Sequence, residues 1–244
     1  MIIKNHGSEG DFMFISYFIC DPEDICRDAE SQICDVTPVC CDRGEEYLYE
    51  LYRDIAESAM GAQLILPADT DAAFQLRLRA ILRSAVYGSF SVMLRGVLSS
   101  DELSLALCKY NRIFCELESE SREFNGYIPR GVCIDTPLLL FQPFCCGGLD
   151  FIVIDAERIV RLMTGNKAGL SSSVISSIAG SIADFARVSE IKRVLAIVGE
   201  RSSSPLLINT LAEGGIQGIY LPFGKQAEME KTILSAVGET PPLR

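Results

Sequence analysis

The chain has 244 residues, of which 48% are hydrophobic and 23% charged. This composition can build a sizeable core and excludes intrinsic disorder. A net charge of −11 repels phosphate backbones and anionic lipid surfaces, so we expect neither nucleic acid nor a membrane as a partner. No segment approaches the roughly 18 apolar residues of a membrane span, and we expect a cytoplasmic protein.

Short apolar runs alternate with amphipathic stretches along the chain, which is typical of βα units that feed a parallel sheet. The predicted strands begin at Phe12, Ala62, Phe90, Gly131, Leu149, Val194 and Gly218. The predicted helices are 45–60, 72–86, 101–118, 171–188, 204–213 and 225–237, with Ser100 as the N-cap of the third. This order predicts an α/β fold in one domain of residues 1–244: a TIM-type (β/α)8 barrel with one strand missing or shortened.

The cysteines could indicate a disulfide framework or a metal site, and their spacing favours neither. Four of them lie in one segment without forming a CxxC pair: Cys26, Cys34, Cys40 and Cys41. We therefore expect no structural zinc site, and the Cys- and Asp-rich residues 21–44 are predicted to be an irregular insertion. Three further cysteines fall in apolar helix or strand patterns and are predicted to be reduced core residues: Cys108, Cys115 and Cys133.

Four sequence segments carry a resemblance to a known family. They are QLRLRAILRSAVYG from Gln75, GVCIDTP from Gly131, LDFIVIDAERIVRLMTG from Leu149 and VLAIVGERSSSPLLI from Val194. In order and spacing, the chain resembles the C-terminal barrel of the PEP-utilising enzymes, which include enzyme I of the sugar phosphotransferase system, pyruvate phosphate dikinase and PEP synthase. The resemblance covers nearly the whole chain and implies a phosphoenolpyruvate site at the carboxyl ends of the strands.

The resemblance also implies a Mg²⁺ site held by two carboxylates, because Mg²⁺ prefers hard oxygen ligands. Asp135 stands at the first of these positions. The second falls at Glu157 and Arg158, so that a cation stands where the metal is expected, and Mg²⁺ binding is doubtful. Either Glu157 or Asp155 could rebuild a carboxylate pair with Asp135. In the alternative interpretation, both are solvated turn residues.

Most other catalytic positions of the family are changed. Its catalytic cysteine corresponds to Val198, and Glu200 is the candidate substitute acid, although a loop carboxylate is more often ordinary surface. Three arginines at strand ends could instead form a metal-free pocket for a small anion: Arg95, Arg158 and Arg201. The alternative is that each pairs with a neighbouring Asp or Glu.

Three functions follow as hypotheses. The first is a catalytically degenerate PEP-utilising barrel, a pseudoenzyme that binds a partner protein or a small anion such as PEP or pyruvate; the resemblance implies a homodimer. The second is a Mg²⁺-dependent enzyme on PEP, pyruvate or a related oxo-acid, including a lyase of the citrate-lyase type, that uses Asp135 and Glu157. The third is an accessory barrel that completes a separately encoded phosphotransfer protein. His6 is the only histidine, so we do not expect complete phosphotransfer within this chain.

Overall fold

A computed structural model describes residues 2–3, 14–15, 18–19, 42–58, 63–141, 147–165, 172–189, 191, 193–198, 210–211 and 214–220. The chain forms two compact units. The first unit comprises Tyr17–Cys133 and Gly147–Leu149, and the second comprises Met1–Ser16, Ile134–Cys146 and Asp150–Arg244. Most of the predicted insertion, the predicted helix 225–237 and most of the predicted helix 204–213 lie outside the described residues.

The secondary structure follows the predicted alternation of strands and helices. In chain order the strands are β1 (Ile2–Ile3), β2 (Phe14–Ile15), β3 (Phe18–Ile19), β4 (Leu64–Asp69), β5 (Phe90–Arg95), β6 (Arg130–Ile134), β7 (Phe151–Asp155), β8 (Val194–Ile197) and β9 (Gly218–Tyr220). The helices are α1 (Asp42–Ser58), α2 (Phe74–Ser84), α3 (Ser100–Ser119), α4 (Pro137–Phe141), α5 (Ala156–Thr164) and α6 (Ser172–Val188). No helix among the described residues is long and apolar enough to cross a membrane.

In the first unit, β3, β4, β5 and β6 pair in parallel and in sequence order. The β4–β5 register runs from Leu64 opposite Phe90 to Asp69 opposite Arg95. Five of the six residues in each of these two strands are buried. Near-continuous apolar strands of this kind are typical of parallel sheets that are covered on both faces. The predicted α/β class with a parallel sheet is therefore confirmed.

Helix α3 shows why two cysteine predictions were wrong. Its buried residues recur every three or four positions and form one stripe: Leu103, Ala106, Tyr110, Ile113 and Leu117. Cys108 and Cys115 lie off this stripe and are exposed, whereas Cys133 on β6 is buried as predicted. The N-cap is Ser99 rather than Ser100, because the Ser99 side chain accepts a hydrogen bond from the Glu102 backbone N–H at 3.2 Å.

Buried charge links the helices of the first unit. The Arg79 side chain, only 9% exposed, donates from Nε to Glu45 Oε2 at 2.7 Å and from Nη2 to Glu120 Oε2 at 2.6 Å. Arg83 donates to the other oxygen of Glu45 at 2.8 Å. Because each buried charge has an opposite partner, the network joins α1, α2 and the end of α3 without leaving an uncompensated ion.

In the second unit, β7, β8 and β9 pair in parallel, and Asp155 at the end of β7 lies opposite Ile197. The short strands β1 and β2 pair antiparallel. The segment after β7, which the sequence indicated to be a turn, forms helix α5 instead. This helix buries Ile159 and Val160 and ends at Gly165, whose φ of 62° suits a left-handed C-cap.

Candidate functional site

The candidate site is centred on Asp135, the residue that follows β6. Asp135 is 2% exposed, and its Oδ2 lies 3.2 Å from Nη1 of Arg158. Its other oxygen, Oδ1, is buried and has no hydrogen-bond partner among the described residues, and the same is true of Oγ1 of the adjacent Thr136. A buried carboxylate therefore depends on a single observed contact for its charge compensation.

Asp155 and Arg158 are positioned by the start of α5. Asp155 is the N-cap, and its Oδ1 accepts a hydrogen bond from the Arg158 backbone N–H at 2.8 Å. This bond satisfies one of the unpaired N–H groups of the first helical turn. The first turn of a helix disfavours a cation because of the helix dipole, and the salt bridge with Asp135 offsets this effect for the Arg158 side chain.

The carboxylates at the site interact electrostatically. Burial raises the pKa of Asp155, and the negative charges of Asp135 and Glu157 raise this pKa further. The hydrogen bond from the Arg158 backbone N–H and the positive charge of the Arg158 guanidinium act in the opposite direction. Asp155 is thus a half-buried helix cap that interacts with other acids.

The Arg158 side chain combines a buried contact with an open face. It is 47% exposed, whereas the Asp135 side chain is 3% exposed. A guanidinium carries five N–H donors in a planar fork, so one contact with Asp135 leaves capacity for a second acceptor. Planar donor pairs of this kind match carboxylate and phosphate oxygens.

The donor set does not fit a Mg²⁺ ion in this conformation. Asp135 Oδ2 contacts a cation, and Asp155 Oδ1 accepts the helix-capping hydrogen bond. Within the described ranges, no group of three or more His, Cys, Asp or Glu side chains is arranged to hold a metal. Arg158 therefore stands at the Asp135 oxygen that a Mg²⁺ ion would need, and the role of Glu157 as a second ligand stays a prediction.

Of the other predicted site residues, one belongs to the first unit and two fall outside the described residues. Arg95 is in the first unit, where its Nε and Nη2 donate to the two carboxylate oxygens of Asp69 at 2.6 and 3.0 Å. The β4–β5 register sets these two side chains opposite each other. Glu200 and Arg201 fall outside the described residues. The sequence did not indicate the Thr136 hydroxyl, since a lone threonine after a strand carries no recognisable signal.

A cavity of about 220 Å³ lies between α2 and α3 in the first unit, and it is lined in part by Asp71, Gln75, Lys109 and Arg112. Its charges are largely compensated from within the protein. Arg77 donates to both oxygens of Asp71, and Arg112 donates to Glu116. The Asp135 site differs because a buried acidic oxygen there has no observed partner.

The chain has an α/β fold with a parallel sheet, and solved structures with barrel-like folds are similar to it. One similar structure is a citrate lyase from Burkholderia xenovorans LB400, with 12% identity and a TM-score of 0.54 over 91% of this chain and 78% of that one. Another is malate synthase from Haloferax volcanii in a pyruvate/acetyl-CoA ternary complex, with 11% identity and a TM-score of 0.52. That match covers 83% of this chain but 58% of the malate synthase.

A magnesium/glyoxylate complex of the same malate synthase matches with a TM-score of 0.51 and 12% identity, over 83% of this chain and 62% of that one. No protein-family model and no curated protein matches the sequence. At these identities the similarity extends to the fold alone. The specific assignment to the PEP-utilising enzymes stays a prediction.

Proposed function

We propose that this chain binds a small carboxylic acid without a metal ion, at a site in which Arg158 receives the ligand carboxylate. The observation that carries the proposal is the salt bridge between Arg158 Nη1 and buried Asp135 Oδ2 at 3.2 Å. The guanidinium supplies the positive charge at the position where the PEP-utilising resemblance implies Mg²⁺. This supports a degenerate relative of that family that has kept an anion site and lost its metal.

Two further features favour a small organic acid as the ligand. The open face of Arg158 can hold one carboxylate through two N–H donors. The fold relatives have names or bound molecules of the same chemical kind: citrate lyase, pyruvate and glyoxylate. PEP and pyruvate are therefore suitable first probes, together with lactate.

A Mg²⁺-dependent enzyme on an oxo-acid is the second candidate. It is favoured by the electrostatic interaction of Asp135 with Asp155, whose pKa it raises, and by the magnesium/glyoxylate complex of a fold relative. It would require Arg158 to leave Asp135 and Asp155 to give up its helix cap. For this reason we rank it below metal-independent binding.

The test is ligand-induced thermal stabilisation of the reduced protein, measured in EDTA and again in Mg²⁺ with pyruvate, PEP and lactate. A ligand that binds only the folded state raises the melting temperature. We expect stabilisation in EDTA that is lost in Arg158→Gln and retained in Arg161→Gln, a matched change on the exposed side of the same helix. Stabilisation that appears only with Mg²⁺ would favour the second candidate.

A further inference from the structure

The proposed site joins two groups of opposite hydrogen-bonding character. A guanidinium can only donate hydrogen bonds, and an ionised carboxylate can only accept them. Arg158 and Asp135 contact each other at 3.2 Å, and the Asp135 side chain is 3% exposed. A small molecule that binds Arg158 beside this contact would approach the Asp135 carboxylate. Such a ligand must present a hydrogen-bond acceptor to Arg158 and a hydrogen-bond donor to Asp135.

The negative charge of Asp135 has few compensating partners in the structure. Its Oδ1 has no hydrogen-bond partner among the described residues, and its Oδ2 has the Arg158 guanidinium. A ligand carboxylate on the open face of Arg158 shares that guanidinium with Asp135 and so weakens the compensation of the Asp135 charge. Withdrawing a partner from a buried charge is strongly unfavourable, so binding is favourable only if the ligand replaces what Asp135 loses.

The group beside the ligand carboxylate therefore decides affinity. A keto oxygen is an acceptor, as is the Asp135 carboxylate, so a keto group near Asp135 leaves both without a donor. A hydroxyl or an ammonium group donates to Asp135 and compensates it. The buried hydroxyl of Thr136, also without a partner among the described residues, can accept from the same group.

We infer that the ligand is a 2-hydroxy or 2-amino carboxylic acid rather than a 2-oxo acid. This inference rests on the proposed function, since it takes Arg158 as the residue that holds the ligand carboxylate. It adds the chemical class of the ligand and assigns to Asp135 the role of selecting a donor at the second carbon. The shared chemistry is an O–H or N–H donor next to a carboxylate.

Four three-carbon acids provide the test, because they differ only at the second carbon: lactate, alanine, pyruvate and propionate. Affinity is measured by isothermal titration in EDTA. We expect lactate or alanine to bind at least roughly tenfold more tightly than pyruvate and propionate, because a hydrogen bond to a charged group contributes about that much. The comparison uses the wild-type protein, so it does not depend on any variant that fails to fold.

Asp135→Asn provides a second, independent readout. Its amide can donate to a keto oxygen, so we expect the variant to improve pyruvate relative to lactate and alanine by roughly tenfold. Arg161→Gln is the matched control and should leave the wild-type order unchanged. A melting curve for each variant separates loss of binding from loss of folding.

The affinities of the four acids test the ligand class separately from metal-free binding of a small carboxylic acid. Binding of all four acids through Arg158, with pyruvate equal to or tighter than lactate and alanine, overturns the inference and leaves the proposed function standing. No binding by any of the four in EDTA overturns the inference, and the proposed function falls with it if PEP also fails to bind in EDTA. Tighter binding of lactate or alanine, together with the changed order in Asp135→Asn, supports the inference.

Discussion

The salt bridge between Asp135 and Arg158 makes a prediction about stability that a double-mutant cycle can measure. Arg158→Gln removes the cation, while the backbone N–H of residue 158 can still donate to Asp155, the N-cap of α5. Asp135, 2% exposed, is then left as a buried charge without the partner seen in the structure. The variant should unfold more easily than the wild type.

The size of this effect follows from the burial of the two partners. Breaking a fully buried pair costs about 3–5 kcal/mol, and breaking a surface pair costs about 0–1 kcal/mol. With side chains that are 3% and 47% exposed, we expect an intermediate loss of about 2 kcal/mol. For a chain of this size, that loss lowers the melting temperature by roughly 4–8 °C.

The cycle is completed by Asp135→Asn and by the double variant, each unfolded in urea in EDTA. Removing the acid also removes the uncompensated charge, so the double variant should be more stable than Arg158→Gln alone by about 1 kcal/mol or more. If the two single changes simply add, the residues are not coupled. The salt bridge would then not be the stabilising element of the site.

Three further predictions concern single side chains. Asp155→Asn keeps a capping oxygen and removes a carboxylate whose pKa is raised chiefly by burial; the variant should melt higher than the wild type at pH 7. Because a raised folded-state pKa destabilises only the charged form, this advantage should shrink as the pH falls through the raised folded-state pKa and be gone below the unfolded pKa of about 3.9, and an advantage that grows in acid would contradict the assignment. Ser99→Ala should cost about 1 kcal/mol in urea unfolding through loss of the α3 cap, whereas an equal loss in Ser100→Ala would show that the cap is misplaced. Arg79→Met should cost about 2–3 kcal/mol because it leaves Glu45 and Glu120 with fewer partners, and an unchanged urea midpoint would mean that the network contributes no net stability.

The strands could be predicted from the sequence because their physical signal is local. Runs such as Phe90–Arg95 are apolar, short and bounded by turn residues, and the structure has strands there. Helix α5 was missed because its nine residues bury only two large side chains, Ile159 and Val160. So short an amphipathic segment resembles a turn when it is considered alone.

The site was predicted in part. The sequence could indicate Asp135 as the acid after a strand and Arg158 as a cation shortly after the next predicted strand, since both depend on order along the chain. It could not give the contact between Arg95 and Asp69, because that ion pair depends on the register of two parallel strands. Nor could it show that Cys108 and Cys115 face solvent, which depends on which stripe of α3 is buried.

The most direct test of the central claim is the affinity of the wild type and of Arg158→Gln for lactate and for alanine, measured by isothermal titration in EDTA. We predict that the wild type binds at least one of the two acids without metal, and that the variant binds it roughly 10- to 100-fold more weakly, as expected for the loss of a hydrogen-bonded charge. Equal affinities in the two proteins, or binding that requires Mg²⁺, would contradict the role assigned to Arg158.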